Sequence, residues 1–110
     1  MEQITYDDFA KLEIKIGTIL SVEIIEDADK LLKLKVDVGE AEPRQIVSGI
    51  RMHFPDPQVL IGKQCPFIVN LEPRTIRGFE SQGMIMAVSD DDGLALLHPH
   101  TEIKAGARVK

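Results

Sequence analysis

Residues 14–39, "IKIGTILSVEIIEDADKLLKLKVDVG", decide the fold. Their second half alternates without a break. Leu32, Leu34, Val36 and Val38 fall on one face, and Lys33, Lys35 and Asp37 on the other. Successive side chains of a strand point to opposite sides, so this stretch reads as a strand with one buried and one solvated face. The first half, Ile14 to Ile25, alternates as well and carries Gly17 within it. A glycine inside a strand often marks a bulge or sharp bend, as a strand needs if it is to join two layers of a small barrel. "EDADK" between the halves, with its short polar side chains, is a turn.

Upstream, "TYDDFAKL" predicts a short helix. Thr5 is the N-cap, Asp7 and Asp8 favour the positive helix end, and Phe9 and Leu12 share an apolar face for docking on the sheet. Downstream, Gly39 to Pro43 reads as a hairpin connection and "RQIVSGI" as a third strand. "HFPDPQVLIGK", with two prolines, reads as a short helical turn, and "QCPFIVN" and "QGMIMAV" as the fourth and fifth strands. "NLEPRTIRGFESQGM", Asn70 to Met84, connects those two. "DDDGLALLHP" reads as a turn and a further short strand, and "IKAGARVK" closes the chain. The expected fold is all-β: an OB-fold, a five-stranded Greek-key barrel with a short N-terminal helix and a short helix between strands 3 and 4. A small β-sandwich is the alternative. No repeat, linker or low-complexity tract divides residues 1–110, which read as one domain.

Composition narrows the chemistry. With 44% hydrophobic residues the chain has enough apolar material for a core. It has no apolar run near the roughly 20 residues of a membrane helix, and "MEQITYDDF" lacks the basic-then-apolar order of a signal peptide, so a cytoplasmic protein is expected. A single cysteine, Cys65, forms no internal disulfide, which suits a reducing compartment; at the start of an apolar run it reads as a packed thiol rather than a nucleophile. "HPH" at His98 and His100 has only the distant His53 to complete a metal site, and "DDDG" lacks the spaced oxygen ligands of a calcium loop. There is no Gly-rich phosphate cradle, nucleophile elbow or His/carboxylate arrangement, so no cofactor and no reaction is predicted.

The net charge of −5 at first opposes a nucleic-acid partner. Its distribution changes that: residues 1–29 hold eight acidic and two basic side chains, residues 30–77 eight basic and five acidic, and residues 78–110 five acidic and three basic. Within the basic middle, Lys33 and Lys35 point the same way from one strand, either as a phosphate-tracking face or as a solvated edge. Arg74 and Arg77 lie in a connection whose shape Pro73 and Gly78 can fix, and guanidinium forks suit phosphate oxygens. Asn70 and Ser81 flank them with uncharged hydrogen-bonding groups suited to ribose or base edges. The bland reading pairs these arginines with Glu72 and Glu80.

Taken together, "DFAKLEIKIGTI", "DADKLLKLKVDVG", "RQIVSGI", "IGKQ", "NLEPRTIRGFESQGMIMA" and "GLALLHP" resemble the tRNA-binding domain found at the C-terminus of methionyl-tRNA synthetases or as a separate subunit of them. The same domain occurs in free-standing structure-specific tRNA-binding proteins. The resemblance runs from about Asp8 to Val109 and implies an OB-fold, usually homodimeric, that binds tRNA by shape rather than sequence and catalyses nothing itself. By motif position it implies a tRNA surface lined by Lys33, Asn70, Arg74, Arg77, Ser81 and Met84, with Lys30 of "ADKL" beside them; Met84 also reads as a core methionine. The catalytic part of methionyl-tRNA synthetase is the implied partner. The chain departs from single-strand OB readers in having no Trp, one Tyr and four Phe, with no aromatic interleaved among Lys33, Lys35, Arg74 and Arg77, which favours backbone contacts over base stacking. A protein-binding chaperone of the CsaA type, which shares the fold, is the competing reading; "DADKLLKLKVDVGE" looks more like the synthetase pattern.

Overall fold

Leu32, Leu34 and Val36 are fully enclosed, as their alternation predicts, and they form the middle of a 13-residue core with Ile19, Ile46, Cys65 and Phe67. A computed structural model describes all 110 residues. The chain folds as a short helix α1 (Tyr6–Ala10), then β1 (Ile14–Ile24), β2 (Leu32–Asp37) and β3 (Arg44–Ser48). Two 3-10 turns, Arg51–His53 and Pro57–Leu60, lead to β4 (Gln64–Ile68) and take the place of the single short helix expected there. Asp56 caps the second turn and Pro57 opens it, where its missing N–H costs nothing. Then follow β5 (Arg74–Ile76), β6 (Phe79–Ser81), β7 (Met84–Ile85), β8 (Ala87–Asp90) and β9 (Gly93–Leu96).

Five strands form one antiparallel sheet in the order β3-β2-β1-β4-β7. The sheet curls until β3 lies beside the segment entering β7. That seam is fastened largely by side chains: Ser81 Oγ accepts from the Val47 N–H at 3.0 Å, Gln82 Oε1 from the Gln45 N–H at 2.9 Å, and the Gln82 N–H donates to the Gln45 carbonyl at 2.7 Å. Arg44 reinforces it by donating to the Gln82 and Val69 carbonyls while its fork holds Glu40 at 2.7 and 2.8 Å. The result is an all-β, nearly closed OB-like barrel.

β1 joins the two halves of the barrel as expected, pairing with β4 over Ile14–Thr18 and with β2 over Thr18–Ile24. The irregularity falls between Ile19 and Ser21, not at Gly17. Gly17 is needed for space instead: a Cβ there would lie 2.6 Å from Val36 Cγ1 and 2.8 Å from Phe67 Cδ1. The expected fifth strand, "QGMIMAV", is broken. Only Met84 and Ile85 join the sheet, and β8 leaves it to pair with β9 in a separate hairpin whose Leu94 and Leu96 pack on the core.

α1 has its predicted Thr5 cap, with Asp8 completing a capping box, but it buries no residue. It is held by polar straps rather than by an apolar face. Asn70 Oδ1 accepts from the Glu13 N–H at 2.7 Å and Asn70 Nδ2 donates to the Lys11 carbonyl at 2.6 Å. From the C-terminal segment, Arg108 donates to the Ala10 and Leu12 carbonyls.

Candidate nucleic-acid interface

The stretch Asn70–Met84, expected as a loop whose shape Pro73 and Gly78 fix, contains a two-strand hairpin, β5–β6, with Ile76 opposite Phe79. Arg77 and Gly78 are its two turn residues and both have positive φ, +52° and +84°, as a type I′ turn requires. Asn, Asp or Gly usually takes the first of those positions; an arginine there is held in the left-handed region, which costs of order 1 kcal/mol or more. The turn thereby places a guanidinium at the hairpin tip.

The hairpin lies on the outer face of the sheet. Ile76 and Phe79, with Leu31, pack against a second small apolar cluster made of Ile25, Ala28 and Val47. Gln45 Nε2 ties it down through the Glu80 carbonyl at 2.9 Å. This satellite core brings separate stretches of cation together. Arg74, Met84 and Ile76 line a groove on one side of the hairpin, while Arg77, Lys30 and Ile76 line a cleft on the other. Lys33, on the outer face of β2 and opposite Val47, has its ammonium 4.7 Å from the centre of the Phe79 ring.

Lys30, Arg74 and Arg77 are exposed, and neither they nor Lys35 form an ion pair. Glu72 lines the groove beside Arg74 and Glu80 sits opposite Thr75, but neither carboxylate closes on an arginine, so the bland pairing of the sequence reading is absent. Asp27 and Asp29 share the Lys30 cleft. Lys33 differs: its ammonium is 3.1 Å from Glu23, its direct cross-strand neighbour on β1. Lys35 continues the same face one step further, half-buried between Ser21 and Gln45.

Two expected contact residues are engaged elsewhere. Ser81 is only 4% exposed, and its hydroxyl donates to the Gly83 carbonyl while accepting from Val47, so its hydrogen-bonding capacity serves the seam. Asn70 spends both ends of its amide on the α1–β1 junction. Met84 is 46% exposed rather than core. Phe79, not singled out from sequence, is the aromatic residue at the centre of the cluster; the signal was its place directly after the Arg77-Gly78 turn.

Cys65 is wholly buried and its thiol is pushed up to about 11 by burial. His98 Nδ1 lies 3.6 Å from its sulfur but 2.7 Å from the Gln64 carbonyl, which has no proton to give. Nδ1 is therefore the donor to that carbonyl and has no lone pair with which to activate the thiol.

An OB-like barrel with a cation cluster on one outer face is the class of molecule that these features define. Residues 14–108 match the profile of the family "Putative tRNA binding domain", and the chain belongs to that family. It is 44% identical over 110 residues to a methionine–tRNA ligase of Thermococcus kodakarensis, of which it spans 15% of the length. Among solved structures, a MetRS related protein from Pyrococcus horikoshii superposes with a TM-score of 0.91 at 41% identity, each chain covered in full. The chaperone CsaA from Bacillus anthracis superposes at 0.87 with 27% identity, over 99% of this chain and 100% of that one.

Proposed function

We propose that residues 1–110 act as one tRNA-binding module that grips the phosphate backbone by shape, with Arg74, Arg77, Lys30 and Lys35 as free cations, Lys33 beside them and Met84 as an apolar contact. The observation that carries this reading is the pair Arg74, which opens β5, and Arg77, in the turn that follows it, both exposed and without a carboxylate partner. Few phosphate contacts give modest affinity that falls with salt, roughly 0.7–0.9 in log–log slope per neutralised phosphate. Pairing two copies in a homodimer, or association with the catalytic part of a methionyl-tRNA synthetase, would raise it through effective concentration. Such a module works in the cytoplasm as an affinity element for aminoacylation and performs no reaction itself.

Fluorescence anisotropy across a salt series tests the reading. Unrelated tRNAs should bind the parent with similar affinity, and Arg74→Ala and Arg77→Ala should each weaken binding and flatten the slope. Variants that bind as the parent does at every salt would remove the interface. The CsaA likeness supports a second reading, capture of unfolded polypeptide; a pull-down that recovers precursor proteins and no RNA would favour it.

A further inference from the structure

Lys33 is the one cation of the hairpin cluster that is already paired. Its side chain is 17% exposed, whereas that of Glu23 is 59% exposed, so a mostly enclosed lysine is neutralised by a carboxylate that remains in solvent. The arrangement follows from the register. Glu23 stands directly across from Lys33 on β1, Val47 stands across on β3 under the hairpin, and the Phe79 ring limits movement toward the hairpin.

We infer that Glu23 masks Lys33, so that a phosphate approaching this face must displace a carboxylate before it gains the lysine; Glu23 thereby sets both the affinity and the salt dependence of the interface. An ammonium already neutralised by a carboxylate neutralises no phosphate and so displaces no counterion from the RNA, and a carboxylate left 3.1 Å from it repels the incoming phosphate. The masking rests on the tRNA reading of the same face. The opposite role, in which Glu23 holds Lys33 in position as a phosphate donor, predicts the opposite sign.

The test uses the full chain with Glu23→Gln, Lys33→Gln and both together. All three are measured by tRNA anisotropy over a salt series and by elution from a heparin column, after circular dichroism has established that each folds. One extra phosphate contact corresponds to a slope steeper by about 0.7–0.9 and to binding about five- to eight-fold tighter near 0.1 M salt. Glu23→Gln should show both, and the gain should vanish in the double variant. Glu23→Gln binding that is unchanged or weaker overturns the inference, as does a gain that survives loss of Lys33. A parent that binds no tRNA at any salt defeats the functional reading instead; heparin retention, later for Glu23→Gln and restored by Lys33→Gln, then decides the masking alone.

Discussion

Ser81 Oγ lies 3.0 Å from the Val47 amide and fastens β3 to the segment that enters β7. Removing that hydroxyl strands a buried N–H, which costs about 1–3 kcal/mol. Ser81→Ala should therefore lower stability by that amount in urea denaturation. Its tRNA affinity, corrected to the folded fraction, should match that of the parent.

Arg77 should show the reverse trade. Its φ of +52° suits Asn better than Arg, so Arg77→Asn should gain about 0.5–1 kcal/mol of stability. The same change removes an exposed guanidinium, and anisotropy should show weaker binding with a slope flatter by about 0.7–0.9. A variant that loses stability would show that the turn is not strained.

The Arg44 fork, by its hydrogen bond first, holds the Glu40 carboxyl below the usual glutamate range, against a smaller opposing effect of burial. A depressed folded-state value means that the unfolded chain binds the proton more tightly. The stabilisation is thus present above the usual glutamate range and is lost as pH falls through the depressed folded value. Glu40 is largely solvated, so the contribution is small, about 0.5 kcal/mol. Denaturation curves for parent and Glu40→Gln should converge as pH falls through the depressed folded-state range of this carboxyl and separate by that amount at neutrality.

Cys65, pushed up to about 11, stays a protonated buried thiol at pH 8. Ellman's reagent should label it at the rate at which the chain unfolds, and urea should accelerate the labelling. Immediate stoichiometric labelling of folded protein would contradict the packing.

Much of the barrel was legible because its signals are local. The β2 alternation, the Thr5 cap and the short central strands follow from periodicity and turn chemistry alone. Gly17 was legible as special but not in its purpose, since the crowding atoms belong to Val36 and Phe67, one of them 50 positions away. The β5–β6 hairpin went unread because its turn begins with an arginine in a conformation usually given to Asn or Gly. The charge of Arg74 and Arg77 was legible, but their exposure without a carboxylate partner was not, because Glu72 and Glu80 stand near them in sequence. The engagements of Asn70 and Ser81 were not, because an amide or hydroxyl looks the same in sequence whether it faces solvent or closes a seam.

The double strap on the residues ahead of β1 has a mechanical consequence. Asn70 grips the main chain at Lys11 and Glu13, and Arg108 grips it at Ala10 and Leu12, one from the β4 end and one from the C-terminal segment. Any polypeptide joined upstream would therefore meet the barrel at an anchored point and not at a loose leash, so its orientation would be constrained where the main chain at Ala10–Glu13 is gripped.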